Sequence, residues 1–337
     1  MPSKRPILYK DAGVDVAAGD AFVARIRAAV DGTRTASVLG GVGGFGGLFR
    51  ADFGLEDPVL VASADGVGTK LKLAFATGRH AGVGGDLVRH CANDVAVLGA
   101  RPLFFLDYLA TGRLDPDVLA QLVEGMAAAC RDEGISLLGG ETAEMPGFYS
   151  DDEYDAAGFL VGVVDRARIL DGSTIRPGDR IVGFASAGLH TNGYSLARRI
   201  VDEAEALDLD DAPAELGGAT LADALLAPHL SYTAEIRRLV EDPNAHVRGF
   251  AHVTGGGIAG NLARILPGTC GAVVRAGSWD EPPIFGLLRR EGRVPEEEMR
   301  RTFNLGVGLV AVVGGDAALG FPIGEIVEGD GTATWED

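Results

Sequence analysis

Unbroken runs of apolar and small residues in the first half of the chain predict strands that are buried on both faces. These runs lack the polar alternation of a strand with one solvent-facing side. They occupy residues 59–64, 103–108 and 154–164. Apolar positions at helical spacing predict helices near 20–30, 85–99 and 116–131, the last with Asp115 as its N-cap and Pro116 at its first position.

The second half continues the alternation of strands and helices. Strands are predicted at 180–186, 247–253, 272–275, 307–313 and 321–327, and helices at 194–201, 220–241, 261–266 and 282–302. The turn-rich residues 171–179 form the expected linker. Since 337 residues exceed one usual core, we expect an α/β protein of two domains, 1–170 and 171–337.

Composition and charge argue against several classes of partner. The net charge is −18 and no Lys/Arg-rich run is present, which disfavours nucleic acid and anionic membrane surfaces. No apolar run approaches the ~20 residues of a membrane-spanning helix, and none follows the basic N-terminus as in a signal peptide. Three widely separated cysteines are typical of core thiols in a reducing compartment. We therefore expect a cytoplasmic protein.

The segment Asp65-Gly-Val-Gly-Thr-Lys70 follows the first predicted strand and combines groups that could hold a metal and a phosphate. Gly66 and Gly68 leave backbone amides uncovered, and Thr69 and Lys70 add a hydroxyl and an ammonium group. Their order differs from a Walker A motif. The same residues would also suit a plain polar exit from a strand.

Two glycine-rich segments are candidate phosphate loops. Residues 40–47 contain six glycines in eight positions and match GxGxxG, but neither the strand nor the helix of a dinucleotide site flanks them. We expect this loop to wrap phosphates with its amides, although a plain surface loop is also compatible. A second match, at Gly255, Gly257 and Gly260, lies between a predicted strand and a predicted helix, which suits a phosphate or a dinucleotide better.

Acidic residues at predicted strand ends indicate a site for a hard cation. Asp65, Asp107 and Glu141 each end an apolar strand. Asp94 lies on the apolar stripe of the helix at 85–99, where an unpaired carboxylate is unfavourable and a cation beside it is expected, unless Asp94 is solvated at the edge of the stripe. Oxygen ligands without Cys or His pairs favour Mg²⁺. A single histidine such as His90 on that helix is more often a core residue than a ligand.

His190, Thr191 and Asn192 lie in a turn between a predicted strand and the helix that begins at Tyr194. This position suits anion binding and proton transfer, although Thr191 and Asn192 could serve only as helix caps. Together with the glycine loops and the acids, these residues indicate an enzyme that uses ATP and Mg²⁺, or another phosphate ester, without a P-loop.

The order of the motifs resembles the phosphoribosylformylglycinamidine cyclo-ligase family over nearly the whole chain. The most specific segments are Gly140-Glu-Thr-Ala-Glu-Met-Pro-Gly147 and Arg301-Thr-Phe-Asn304. Others are Asp65-Gly-Val-Gly-Thr-Lys70, Asn93-Asp94, Phe104-Phe-Leu-Asp-Tyr108, His190-Thr-Asn-Gly-Tyr-Ser195 and Thr254-Gly-Gly-Gly257. One departure is Arg89-His90, where the family usually has small or apolar residues.

This resemblance implies mixed sheets, an N-terminal domain that forms a barrel-like core across a homodimer, and a C-terminal α/β domain packed beside it. It implies that ATP phosphorylates the formyl oxygen of formylglycinamidine ribonucleotide, after which ring closure gives aminoimidazole ribonucleotide, ADP and phosphate in purine biosynthesis. The homodimer is also expected because too few helices are predicted to cover both faces of the first sheet.

The resemblance also gives the expected roles of the site residues. His190, Asp94 and Lys70 are the catalytic candidates. Asp65, Asp94 and Glu141 are the magnesium candidates. The ATP phosphates are assigned to Gly43, Gly44, Gly46, Gly47, Gly66, Gly68, Thr69 and Lys70, and the substrate to Asn192, Gly255, Gly256, Gly257 and Asn304.

Three other functions remain open at this point. A related kinase or synthetase acting on thiamine phosphate or selenide would share the scaffold, although a selenide enzyme would want a Cys or selenocysteine near the N-terminus. A dinucleotide dehydrogenase and a non-catalytic maturation protein are the others. Substrate-dependent release of ADP would distinguish among these functions.

Overall fold

Two separate β-sheets organise the chain. The structure, a computed structural model, describes residues 9–41, 44–204, 207–316 and 319–337. It divides into two units, of which the first comprises Met1–Asp52, Ala64–Val88 and Leu103–Leu160, and the second comprises Phe53–Ser63, Arg89–Pro102 and Val161–Asp337. Each unit is described on its own below.

The first sheet has four strands in the order β1-β4-β2-β3. They are β1 (Pro58–Gly66), β2 (Arg101–Thr111), β3 (Ser136–Glu144) and β4 (Tyr154–Asp165). Strands β2 and β3 run parallel, with Asp107 opposite Gly140 and Tyr108 opposite Glu141. The predicted strands are therefore confirmed, but Asp107 and Glu141 lie within their strands and not at the ends. Because β1 and β3 are outer strands, the sheet is open within the described chain.

The two-sided burial predicted for these strands is wrong for a single chain. Along β1, exposed residues alternate with half-buried ones, and Leu60 is 62% exposed. On β4, Phe159 is 44% exposed while its neighbours Gly158 and Leu160 are buried. An apolar run therefore located each strand but did not reveal that one of its faces is open in the monomer.

Four helices accompany the first sheet: α1 (Val16–Asp31), α2 (Leu71–Thr77), α3 (Ala81–Ala96) and α4 (Pro116–Glu133). The predicted cap of α4 is confirmed, since the Asp115 carboxylate accepts hydrogen bonds from the amides of Asp117 and Val118. Helix α3 begins earlier than predicted because its glycines allow close helix packing instead of breaking the helix. A Cβ on Gly84 would lie 2.1 Å from the Leu122 carbonyl oxygen.

The second sheet is mixed and has six strands in the order β10-β7-β9-β5-β8-β6. Strands β10 and β7 are parallel, and the other pairs are antiparallel. All seven residues of β8 are buried, which makes β8 a core strand of this unit. The strands are β5 (Arg180–Ala185), β6 (Val247–His252), β7 (Cys270–Arg275), β8 (Val307–Val313), β9 (Phe321–Glu328) and β10 (Ala333–Glu336).

The helices of the second half are short. They are α5 (Tyr194–Glu203), α6 (Leu221–Leu225), α7 (Thr233–Glu241), α8 (Gly257–Ala263), α9 (Pro283–Glu291) and α10 (Glu296–Thr302). The helical region predicted at 220–241 is thus two helices separated by a loop that carries His229. None of the described helices is both long enough and apolar enough to cross a membrane.

Candidate functional site

A cavity of about 650 Å³ lies in the first unit, within the size range of small-ligand pockets. Helix α1 forms one wall with Phe22 and Ile26, and strands β2 and β3 form another. Asp107, Glu141 and Thr142 contribute polar groups to the lining. The part of the glycine loop that lines the cavity is Gly41, Gly44, Phe45, Gly46 and Gly47.

The glycine loop forms the tip of a hairpin. Val38 and Phe49 form an antiparallel bridge, and the Leu39 amide donates to the Leu48 carbonyl oxygen at 2.9 Å. A Cβ on Gly47 would lie 2.3 Å from Cγ of Leu138, so glycine is needed where the loop crosses β3. The structure brings Gly44, Gly46 and Gly47 to the cavity, while Gly43 lies outside the described residues.

Two carboxylates line this cavity, and their environments differ. Burial raises the pKa of the Asp107 carboxyl to about 7, against a weaker opposing effect of a backbone hydrogen bond. Glu141 is exposed on the outer strand β3. Beside Asp107, a Cβ at Gly140 would come within 2.0 Å of Oδ1, so only glycine leaves room for the carboxyl.

The segment that follows β1 has a different arrangement from the one predicted. Asp65 is half-buried, and Gly66, Gly68 and Thr69 are exposed. Lys70, in contrast, is fully buried, and its Nζ lies 2.6 Å from Oδ2 of Asp86. Burial lowers the pKa of Lys70, and the Asp86 carboxylate opposes that effect. The ammonium group predicted to bind phosphate is therefore already paired with a buried carboxylate.

In the second unit, Asp94 is joined to a chain of polar side chains. Its Oδ2 accepts a hydrogen bond from Oγ of Ser63 at 3.1 Å, and its Oδ1 lies 2.7 Å from Nδ1 of His252. Nε2 of His252 lies 3.0 Å from Nε2 of His229. Asp94 therefore has the partner that its position on the helix required, but the partner is a histidine.

The chain of side chains continues to His90. Nδ1 of His229 lies 3.1 Å from the Thr191 hydroxyl, which lies 2.6 Å from Nδ1 of His90. Burial and the nearby His252 lower the pKa of His90 to about 4, while Asp94 opposes them, so the ring is neutral near pH 7. Contrary to its interpretation as a single core histidine, His90 belongs to a cluster with His190, His229 and His252.

The predicted acid or base His190 is fully buried in this cluster. Its ring stacks on His229 with centroids 4.2 Å apart. Its Nε2 accepts hydrogen bonds from the amides of Ala187 at 3.3 Å and Leu230 at 3.5 Å. Because Nε2 accepts, proton exchange by His190 would have to use Nδ1.

Asn192 and the glycine turn at 255–257 lie together. Oδ1 of Asn192 accepts a hydrogen bond from the Gly255 amide at 3.0 Å. That bond fixes the orientation of the amide and leaves its buried Nδ2 without a hydrogen-bond partner among the described residues. Gly256 and Gly257 have φ of 101° and 67°, conformations that favour glycine.

Asn304 is buried, and both ends of its amide are occupied. Oδ1 accepts hydrogen bonds from the Ser186 hydroxyl at 3.0 Å and the Gly306 amide at 2.9 Å. Nδ2 donates to the Gly188 carbonyl oxygen at 2.8 Å. In this arrangement Asn304 holds the turn after β5, and that turn carries His190 and Asn192.

His229 and His252 were not predicted as site residues from the sequence. His229 lies in the loop between α6 and α7, and His252 is the last residue of β6, so no shared motif links them. The available signals were the unusual Arg89-His90 pair and the carboxylate of Asp94, which needed a partner. Neither signal identified which histidine would supply that partner.

Both halves of the chain match models of known protein families. The model of the AIR synthase related protein, N-terminal domain, matches residues 51–164, and that of the C-terminal domain matches residues 176–334. A phosphoribosylformylglycinamidine cyclo-ligase of Sorangium cellulosum is 55% identical, over 93% of this chain and 89% of that protein. One of Synechococcus sp. is 52% identical, over 96% of this chain and 97% of that protein.

Solved structures with low sequence identity share the fold. The thiamine-monophosphate kinase of Stenotrophomonas maltophilia has a TM-score of 0.68 at 21% identity, over 94% of this chain and 96% of that chain. The hydrogenase maturation protein HypE, in complex with ATP, has a TM-score of 0.65 at 18% identity, over 94% of this chain and 91% of that chain. At these identities the likeness concerns the fold alone.

Proposed function

The chain belongs to the phosphoribosylformylglycinamidine cyclo-ligase family, and from that premise we propose how its two domains divide the reaction. The chain is an enzyme of purine biosynthesis that carries out the ATP-dependent cyclisation of formylglycinamidine ribonucleotide. The first domain, residues 1–170, receives ATP, and the second, residues 171–337, receives the ribonucleotide. Phosphorylation of the formyl oxygen turns it into a good leaving group, after which the ring closes.

The observation that carries the ATP assignment is the cavity lined by Gly44, Gly46, Gly47 and Glu141. Consecutive amides without side chains can approach phosphate oxygens closely. The apolar wall formed by Phe22 and Ile26 suits a base and ribose, since ligand pockets combine an apolar lining with a few polar groups. The second glycine turn, at 255–257, belongs to the other unit and is assigned to the substrate.

Lys70 supports the phosphate site indirectly in this proposal. Its ion pair with Asp86 joins the turn at Gly68 to helix α3 inside the first unit. That pair holds the exposed residues Gly66, Gly68 and Thr69 in place, and these residues are the ones available to a phosphate.

Magnesium remains part of the proposal, with Asp65 and Glu141 as its candidate ligands in the first unit and Asp94 as a separate candidate in the second. Asp65 and Glu141 belong to the first unit, and their oxygen donors fit a hard cation. Asp94 belongs to the second unit, where it contacts His252. When bound, the ion neutralises charge on the transferring phosphoryl group.

Substrate contacts are proposed at the Asn192 amide and the exposed turn of Gly255 and Gly256. Nδ2 of Asn192 is a buried donor that a substrate oxygen could satisfy. Gly257 and Asn304 shape this region from within, because both are buried. His190 remains the proposed acid or base, acting through Nδ1.

A homodimer through the open face of the first sheet is the proposed assembly, with the barrel-like core formed across its interface. Leu60, Phe159 and Phe148 are 62%, 44% and 72% exposed. Exposed apolar side chains of this size often mark an interface. Sedimentation at micromolar concentration should give about twice 34.9 kDa. An active monomer would refute the proposed assembly.

The proposed function is tested by ADP release with alternative substrates. Purified protein with ATP and Mg²⁺ should release ADP when formylglycinamidine ribonucleotide is added, in amounts equal to the aminoimidazole product. Thiamine phosphate and selenide should give background rates. ADP release with thiamine phosphate, and none with the amidine, would contradict the proposal.

A further inference from the structure

Three side chains of the second unit converge with the ligand chemistry of a transition-metal ion. Among the described residues, the ligand atoms of His90, Asp94 and His252 lie within 4.8 Å of one another. We propose that these residues form a binding site for a dication of the Zn²⁺ class, a site beyond the cyclisation itself. Two imidazole nitrogens and one carboxylate oxygen are typical zinc ligands.

The distances allow a metal ion to bind after a small movement. With metal–ligand bonds of about 2.1 Å, tetrahedral geometry places ligand atoms about 3.4 Å apart. All the ligand atoms lie within 4.8 Å of one another, so no separation exceeds that value by more than about 1.4 Å, and Asp94 Oδ1 lies 2.7 Å from His252 Nδ1. The Asp94 side chain is 33% exposed and can rotate to adjust.

Each of the three ligand side chains already has a hydrogen-bond partner outside the set. Nδ1 of His90 lies 2.6 Å from the Thr191 hydroxyl, and Nε2 of His252 lies 3.0 Å from Nε2 of His229. Oδ2 of Asp94 accepts a hydrogen bond from Ser63. Metal-binding histidines almost always have their second ring nitrogen hydrogen-bonded in this way. The proposal assigns the metal to Nε2 of His90 and Nδ1 of His252.

The donor set separates this site from a magnesium site, although Asp94 is a candidate ligand for either ion. Imidazole nitrogen favours zinc, cobalt, nickel or copper, whereas Mg²⁺ favours oxygen. His90 takes part in the nitrogen-rich site only, so its substitution separates the two.

The test is titration calorimetry of the metal-free full chain with Zn²⁺. Wild type should bind one equivalent in the presence of excess Mg²⁺. His90→Gln should weaken binding by at least about 100-fold, and Thr191→Val by about 10-fold to 100-fold, the range for loss of an outer partner. The control His246→Asn changes an exposed histidine outside the cluster and should bind as wild type does.

X-ray absorption of the Zn²⁺-loaded wild type tests the same ligands without any variant. It should show two imidazoles, oxygen neighbours and no sulfur, although Cys91 is next to His90 in sequence. Sulfur ligation, the absence of a bound equivalent in wild type, or equal affinity in a folded His90→Gln protein would overturn the proposal.

Discussion

Lys70→Met should strongly destabilise the protein, because it removes one partner of a buried ion pair. Nζ of Lys70 lies 2.6 Å from Oδ2 of Asp86, and the two side chains are 0% and 1% exposed. Removing one partner leaves a buried carboxylate uncompensated, which typically costs about 3–5 kcal/mol. The carboxyl can lose its uncompensated charge by taking up a proton, which at pH 7 costs about 4 kcal/mol for an ordinary aspartic acid.

Because protonation of the carboxyl depends on pH, the loss of stability in Lys70→Met also depends on pH. Protonation costs about 1.36 kcal/mol per pH unit above the ordinary pKa of aspartic acid near 3.9. The largest possible loss of unfolding free energy therefore falls to about 1.5 kcal/mol at pH 5. Equilibrium unfolding in denaturant at pH 7 and pH 5 measures both values. Lys70→Met with Asp86→Leu should recover most of the stability, because an apolar pair often replaces a buried ion pair without loss.

Lys72→Met is the matched control, two residues along the chain. Lys72 pairs with Glu153, and the two side chains are 40% and 31% exposed. A surface pair of this kind contributes about 0–1 kcal/mol. If Lys70→Met were no more destabilising than Lys72→Met and instead raised the KM for ATP, Lys70 would be a phosphate ligand and not the structural partner of Asp86.

Three further predictions concern Asp107, Asp94 and Gly257. The raised pKa of Asp107, about 7, means that the folded state binds an extra proton between about pH 4 and 7, so stability falls as pH rises through that window. Asp107→Asn should flatten this dependence and add about 2 kcal/mol at pH 8 in unfolding experiments, half the full linkage value because the residue is partly exposed. Asp94→Asn should lower turnover about 100-fold with a nearly unchanged melting curve, and wild-type turnover would exclude the proposed catalytic role. Gly257→Ala should lower the melting temperature, because its Cβ would lie 1.9 Å from the Arg300 carbonyl oxygen at a φ of 67°, whereas Gly260→Ala, with open space, should not.

The positions of the strands could be predicted from sequence, but their burial could not. The apolar run before Asp65 located β1 correctly, yet Leu60 on that strand is 62% exposed. An apolar sequence predicts that a residue is shielded from water. It does not predict whether the residue's own chain or a partner chain shields it. Helix α3 was located for a similar reason, but its early start depended on Gly84 packing against α4, which a one-dimensional pattern does not contain.

Some residues of the candidate site could likewise be predicted from the sequence, and others could not. The glycine loop and Glu141 were identified from local composition, because missing side chains and a carboxylate have direct chemical meaning at any position. The histidine cluster was not identified, because His90, His229 and His252 come from a helix, a loop and a strand that only the tertiary fold brings together. The burial of Lys70 also depends on a distant residue, Asp86.

The position of the triphosphate is the most direct test of how the two domains share the reaction. A crystal structure of this chain with Mg²⁺ and a non-hydrolysable ATP analogue would measure it. We predict phosphate oxygens against the amides of Gly44, Gly46 and Gly47, with the ion near Glu141. A triphosphate bound at the turn of Gly255 and Gly256 would contradict the assignment of ATP to the first domain.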